Sequence, residues 1–312
     1  MSPVTVFAPG SIGNMGVGLD VLGLAVGGAG DWVTAELLPT AGVELRDAGH
    51  PDLPTDPTRH GASLAALAVI NRAQAKVGLA LWVKKGLPLS GGQGGSAASA
   101  VAGAVAANEA LGRPLGMRTL LEATLEAETS VAGRHADNVA PSLLGGAVLI
   151  RSIDTLDVVT LPVPHGLTVV LVHPAQQLRT ADGRAALPDT ATRDVLIHQT
   201  AQVGAMVAAL CSGDLGLLGR ALDDRYAEAA RAPLLPGFTS ARQAALEAGA
   251  LGAGLSGSGP TAFALLRDCD SAERVGRAMQ EAYTKAGLTS NMRVASVDRH
   301  GARVVTGPGA FA

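Results

Sequence analysis

The segment Leu87–Asn108, LPLSGGQGGSAASAVAGAVAAN, joins a glycine-rich loop to a run of small helix formers. Gly91, Gly92, Gly94 and Gly95 carry no Cβ, so the backbone there can bend sharply and come close to a ligand. Ser96 opens the alanine-rich run and places free N–H groups and a positive helix end beside the loop. Such an arrangement suits a phosphate group. The spacing is not that of a P-loop, because no Gly-Lys-Ser/Thr closes it. A tight turn before a buried helix would use the same glycines. The Ser96 hydroxyl could reach a phosphate or Mg²⁺, or cap the helix, and these roles are compatible. Lys84 and Lys85 end the apolar segment before the loop, where a lysine could touch a nucleotide or stay solvated.

Other chemistry is poorly supported. His135 and Asp137 could hold a metal, but no third ligand is apparent. No Gly-x-Ser-x-Gly elbow presents a serine nucleophile. Gly252-Ala253-Gly254-Leu255-Ser256-Gly257 fits Gly-x-Gly-x-x-Gly, yet Pro260 and a strand-like Thr261–Leu266 follow instead of a helix. Gly257, Ser258 and Gly259 read better as a turn that supports the phosphate loop.

The elements that must position these groups follow from periodicity and punctuation. Val4–Ala8, Trp32–Leu37 and Leu79–Lys84 alternate as strands. Ser63–Val77 reads as a helix capped by Ser63 and ended by Gly78; Ser96–Leu111 and Arg118–Ser130 read as two more. Gly146–Arg151, Val158–Leu161 and Leu167–His173 read as short strands. Thr192–Cys211, Leu215–Asp224, Phe238–Glu247 and Ser271–Ala286 read as helices, and Ala262–Leu266, Arg293–Asp298 and Arg303–Val305 as strands. Without strict alternation, the expected class is α+β. A change of pattern near Asp154–Pro164 predicts two domains, residues 1–158 and 159–312.

With 312 residues and 47% hydrophobic content, the chain can bury a sizeable core. A net charge of −3 and the lack of a basic, aromatic stripe argue against nucleic-acid binding. No run of ~20 uninterrupted apolar residues marks a membrane span. The opening Met-Ser-Pro-Val-Thr lacks a signal pattern, so a cytoplasmic location is expected. Two cysteines, Cys211 and Cys269, exclude a disulfide framework and a four-cysteine zinc site.

Four segments in order carry a resemblance. They are Ala8–Ala25 (APGSIGNMGVGLDVLGLA), the glycine loop, His135-Ala136-Asp137-Asn138-Val139-Ala140-Pro141, and Leu255-Ser256-Gly257-Ser258-Gly259-Pro260-Thr261. Together they resemble the GHMP small-molecule kinases over essentially the whole chain, and within them the chain looks like the homoserine kinase family. The resemblance implies a two-domain α+β fold. Its parts are an N-terminal ribosomal-protein-S5-domain-2-like ATP-binding domain and a C-terminal ferredoxin-like α/β-plait. It implies ATP-dependent phosphorylation of homoserine, with ATP and Mg²⁺ as cofactors. Lys85, Pro88, Leu89, Ser90, Gly91, Gly92, Gln93, Gly94, Gly95, Ser96, Ala97, Gly257, Ser258 and Gly259 would hold the nucleotide. Ser96 and Glu128 would hold Mg²⁺, a cation that needs few protein ligands beside phosphate oxygens. Asn14, Asp20, His135, Asn138, Thr180, Arg184 and Arg231 would bind the acceptor, with Asn138, Arg184 and Ser96 catalytic. Two arginines and an aspartate match one carboxylate and one ammonium. A homodimer is a possible assembly.

The chain departs from the family pattern in its loop. The family commonly has Gly-Leu-Gly-Ser-Ser-Ala; here Gln93 replaces the apolar residue and Gly95 the first serine. His60 stands where an asparagine is expected near the adenine. A kinase for another small alcohol and a non-catalytic metabolite sensor are the alternative readings.

Overall fold

The structure, a computed structural model, describes residues 2–305; Met1 and the last residues of the expected second domain, 306–312, lie outside them. The first half contains β1 (Val4–Gly13), β2 (Leu22–Leu38), β3 (Gly42–Asp47), α1 (Gly61–Arg72) and β4 (Gly78–Lys84). It continues with α2 (Gly95–Ala110), α3 (Met117–Val131), α4 (Val139–Leu144), β5 (Ala147–Ser152) and β6 (Asp157–Leu161). The seventeen-residue β2 organises the sheet: β1 lines one edge, while β4 and β5 share the other. β1 and β2 run antiparallel with a register shift at Pro9/Gly10. Gly30 permits that close pairing, since a Cβ there would fall 2.1 Å from the Ala8 carbonyl oxygen.

The alanine run becomes α2, which is buried on nearly every side. A helix apolar all round belongs in a core. Its small residues bring the backbone of α1 close: a Cβ on Gly103 would lie 2.4 Å from the Ala62 carbonyl oxygen. α1 starts at Gly61, so Ser63 lies inside it, buried, and His60 occupies the cap position. α1 ends before Val77, where Gln74 turns left-handed at φ 53°.

The second half contains β7 (Thr168–Pro174), α5 (Thr180–Ala185), α6 (Arg193–Ser212), α7 (Leu215–Arg220), α8 (Ala227–Arg231) and α9 (Phe238–Glu247). It closes with β8 (Gly252–Leu255), β9 (Ala262–Leu266), α10 (Ala272–Lys285), β10 (Ser290–Ser296) and β11 (Arg303–Val304). Its antiparallel sheet has the order β10-β7-β9-β8, so the strands of the second half stand fourth, first, third, second, the order of a ferredoxin-like plait. β11 then returns to pair with β1 in the first sheet.

Three apolar clusters follow. One lies beneath the first sheet against α1, α2 and α3. One joins Ile12, Leu22 and Leu24 to Leu171, Phe263 and Met206, tying the two halves together. The third packs α9 and α10 on the second sheet through Phe238, Met279 and Tyr283. Among the described residues, α6 is long and apolar enough to cross a membrane by length and composition, with 17% of its apolar window buried. It was not marked by an uninterrupted apolar run because His198, Gln199 and Gln202 interrupt it. His198 and Gln199 reach Asp223 and Asp224, which ties α6 into the second half.

Candidate active site

A single cleft of about 440 Å³ is lined by both halves of the chain. The glycine loop forms one wall. Ser90, Gly92 and Gly94 adopt positive φ of 50°, 73° and 69°, and Gly94 occupies the cap position of α2. Helix α2 thus begins at Gly95, one residue earlier than expected, and Ser96 lies within its first turn instead of capping it. The glycines answer to protein neighbours as well as to space for a ligand. A Cβ on Gly94 would sit 2.2 Å from Ser11 Oγ, and one on Gly92 2.5 Å from the Ser256 carbonyl oxygen. A Cβ on Gly95 meets nothing closer than 3.5 Å. Pro88, Leu89, Ser90, Gly91, Gly92, Gly94, Gly95 and Ser96 face the cleft, as do Gly257, Ser258 and Gly259 opposite them. The turn is latched to the loop: Ser256 Oγ donates to the Gly92 carbonyl at 2.7 Å, and Thr261 Oγ1 to that of Gly91 at 2.6 Å.

Three residues assigned to the nucleotide stand elsewhere or are otherwise engaged. Gln93 lines no part of the cleft. Its amide donates to Thr261 Oγ1 and its carbonyl accepts from Arg293, because its side chain turns toward the second sheet. Ala97 is fully buried in the α2 core, where the helix turns it away from the cleft. Lys85 borders the cleft, but its ammonium bonds Asp31, the Gly95 carbonyl at 2.8 Å and Ser99 Oγ at 2.9 Å. An ammonium has three N–H donors, so all are engaged in holding the start of α2. Asp31, fully buried, is the carboxylate that fixes this lysine. Its signal in the sequence was a charged residue inside the apolar strand around Trp32.

Behind the loop, Ser96 Oγ donates to Glu128 Oε2 at 2.7 Å. Burial pushes the Glu128 carboxyl above its usual range, while the Ser96 hydrogen bond and His135 pull it down. Two hard oxygen groups converge there, a donor set that suits Mg²⁺ when phosphate oxygens and water complete its shell. Among the described residues no group of three or more His, Cys, Asp or Glu could hold a metal.

The other end of the cleft collects the acceptor candidates. Asn14, Asp20, His135, Asn138, Thr180, Arg184 and Arg231 all line it. Asn14 and Asp20 lie in the left-handed region at φ 67° and 60°, in the tight turn between β1 and β2. Asn14 Oδ1 accepts from the Asp20 amide at 3.0 Å, and its Nδ2 donates to the Gly257 carbonyl at 3.2 Å. Asn138 Oδ1 accepts from Ser11 Oγ at 2.9 Å. Arg184 forks onto both Asp20 oxygens at 3.0 and 2.5 Å, each side chain about one third exposed. Arg231 is 2% exposed. Its Nε donates to the Gly183 carbonyl at 2.9 Å and its Nη1 to that of Gly257 at 3.0 Å. Burial, and then the neighbouring Arg184, lower its pKa.

Asp137 also lines the cleft, and the acceptor set drawn from the sequence omitted it. Its Oδ2 accepts from the Asn14 amide at 3.1 Å, and its Oδ1 stands 3.5 Å from His135 Nδ1. Burial lowers the His135 pKa, but Asp137 and then Glu128 outweigh it, and the net shift is upward. The segment around Asp52, Leu53, Pro54 and Arg59 closes the far end beside His60. No spacing or composition marked that segment. His60 is buried, with Nε2 3.2 Å from the Ala48 carbonyl, and burial lowers its pKa.

Comparison with known proteins bears on the fold and the family. Residues 62–146 match the family of GHMP kinases N terminal domains, and residues 206–285 match GHMP kinases C terminal. The chain is 41% identical to a homoserine kinase of Chlorobium phaeobacteroides, over 98% of this chain and all of that protein. It is 43% identical to a homoserine kinase of Arabidopsis thaliana, over 97% of this chain and 84% of that one. The crystal structure of homoserine kinase from Cytophaga hutchinsonii superposes with a TM-score of 0.94 at 39% identity, covering 98% of both chains. A Lactococcus lactis galactokinase shares the fold with a TM-score of 0.72 at 18% identity. With identity sustained over nearly the full length and both halves of the fold matched, the chain belongs to the homoserine kinase family of the GHMP kinases.

Proposed function

We propose that this chain transfers the γ-phosphoryl group of ATP to the side-chain hydroxyl of L-homoserine, giving O-phospho-L-homoserine for threonine biosynthesis. The observation that carries the reading is the charge set at the acceptor end. Asp20 and Arg184 already form a forked ion pair there, and Arg231 stands buried beside them. A zwitterionic amino acid is complementary to that pair. Its ammonium suits Asp20, and its carboxylate suits a guanidinium fork. A sugar or a hydroxy acid would satisfy only part of it.

The donor belongs on the opposite wall, with its phosphates against the amides of the glycine loop and the start of α2. Residues 1–158 would form the nucleotide-binding unit, and residues 159–312 would contribute Arg184, Arg231 and the Gly257 turn. Ser96 and Glu128 would hold Mg²⁺, which neutralises phosphate charge when bound. The homoserine oxygen bonds to the γ-phosphorus as the bond to the ADP oxygen breaks. Asn138 cannot take up a proton, so its role is to orient the hydroxyl, and a phosphate oxygen accepts the proton. Orientation and charge stabilisation then supply most of the rate.

The test is ATP consumption with a panel of alcohols and identification of the product. Homoserine should stimulate turnover and yield O-phosphohomoserine, whereas mevalonate and galactose should not. A phosphorylated product from another alcohol, with none from millimolar homoserine, would refute the assignment.

A further inference from the structure

Helix α8 is a single turn, Ala227–Arg231, yet it carries the buried Arg231 of the acceptor end. So short a helix has little stability of its own and depends on what holds it. Asp224 binds its start, accepting from the amides of Tyr226 at 2.8 Å, Ala227 at 3.0 Å and Glu228 at 2.9 Å. Glu228, three residues before Arg231, faces the end of β8. Its Oε2 accepts from the Leu255 amide at 3.1 Å, and its Oε1 lies 3.2 Å from Nε of Arg242 on α9. Gly254 makes room for the carboxylate, since a Cβ there would come within 3.2 Å of Oε2. Two residues beyond Leu255, the Gly257 carbonyl accepts from Arg231. One helical turn therefore grips the β8 end and the turn after it at two points, Glu228 on Leu255 and Arg231 on Gly257.

We propose that Glu228 is a positioning residue for the acceptor site, bracing α8 against β8 so that Arg231 and the Gly257 turn stand where the acceptor needs them. This rests on the reading that Arg231 binds homoserine. Glu228 touches neither substrate in that arrangement and acts through Arg231. The groups facing it are Arg242 from α9, and Asp224 and Asp223 from the segment before α8. Burial, helped by Asp224 and Asp223, raises its pKa to about 7 against the pull of Arg242 and the Leu255 amide. Its charge, and with it the attraction to Arg242, therefore changes near neutrality. Loss of that charge slackens the brace, so the KM for homoserine rises as the pH falls through this range.

The experiment measures KM for homoserine and kcat at saturating ATP between about pH 6 and pH 8, for wild type, Glu228→Gln and Glu228→Ala. Glutamine keeps an oxygen for the Leu255 amide but cannot change charge. Its KM should stay on a level near the acid limit of the wild type, without the pH-dependent rise. Alanine should raise KM roughly five- to tenfold at pH 8, the scale of one weakened charge-assisted contact, with kcat changed less. A Glu228→Gln enzyme that keeps the wild-type pH dependence of KM would overturn the proposal, and so would a folded Glu228→Ala enzyme with wild-type KM. If Glu228→Ala does not fold, the glutamine pH profile decides. If the wild type shows no homoserine-dependent turnover, the functional reading fails first; if only the variants behave as wild type, the brace fails alone.

Discussion

Arg231→Ala tests the acceptor site most directly. The guanidinium is buried at 2% exposure, and two of its nitrogens are held by the Gly183 and Gly257 carbonyls. That leaves Nη2 with two N–H groups for the cleft. Removing a charged hydrogen bond to a substrate carboxylate costs about 1.5–3 kcal/mol, or roughly 10- to 150-fold in affinity. The Gly183 carbonyl also loses its partner, at a cost of about 1–3 kcal/mol, nearer the lower value because the cleft admits water, while the Gly257 carbonyl keeps the Asn14 amide. The expected result is a large rise in the KM for homoserine, a smaller change in that for ATP, and a lowered melting temperature. Arg231→Lys should recover little, since one ammonium cannot reproduce the planar fork that spans two carbonyls and a carboxylate. The assay is steady-state ATP consumption with either substrate varied, alongside a thermal melt. Folded Ala and Lys variants with wild-type homoserine KM and turnover would show that Arg231 is only structural.

In the loop, Gly94→Val should lose most kcat/KM for ATP, because φ is 69° and a Cβ would meet Ser11 Oγ at 2.2 Å. Ser96→Ala should lose less, through the lost Glu128 contact, and Gly95→Ser least, within about 1.5 kcal/mol, since its side is open to 3.5 Å; any other order, measured by ATP kinetics, contradicts the geometry. Gln93→Leu should lower the melting temperature, because Thr261 and the half-buried Arg293 each lose a partner; an unchanged melt would show that this network contributes nothing. Glu228 has its pKa raised from 4.5 to about 7, so its stabilising contribution is greatest below the unfolded value and declines as pH rises through that window. Glu228→Gln should therefore be the more stable form at pH 8, by up to ~3 kcal/mol, with the advantage gone near pH 5 in pH-dependent melts.

The long periodic elements were legible because their patterns extend over several turns or strand pairs. Phe238–Glu247 occupies the bounds that periodicity assigned it, and so does the short, wholly apolar Ala262–Leu266, whereas β2 was expected only over Trp32–Leu37 and in the fold begins at Leu22. The missed elements, α4, α5, α8, β3 and β8, are four to six residues long, and tertiary packing decides them. β8 was hidden in a glycine motif: Gly252–Leu255 is buried throughout, and its glycines let α7 approach, with a Cβ on Gly252 placed 2.7 Å from the Gly219 carbonyl oxygen. In the site, residue types carried most of the information. What they could not carry was engagement. Lys85 reads as a free cation until Asp31, far away in sequence, is seen to hold it.

The same limit explains the departures of the loop from its family pattern. Read alone, Gln93 in place of an apolar residue suggests an altered donor site. In the fold it never enters the cleft: it links Thr261, at the end of the Gly257 turn, to Arg293 on β10, which also donates to the Gly27 carbonyl on β2. A buried amide with both ends bonded is a workable exchange for an apolar contact, because no polar group is left bare. The Ser11 amide also donates to the Gln93 carbonyl at 3.1 Å, tying β1 to the loop. Gly95 points its missing side chain toward Leu87 and Lys85, at the base of the helix, and keeps its amide. Both departures thus leave the backbone groups that would face phosphate in place, and the one at Gln93 fastens the loop to the second half of the chain. That fastening couples the donor wall to the turn on which Arg231 rests.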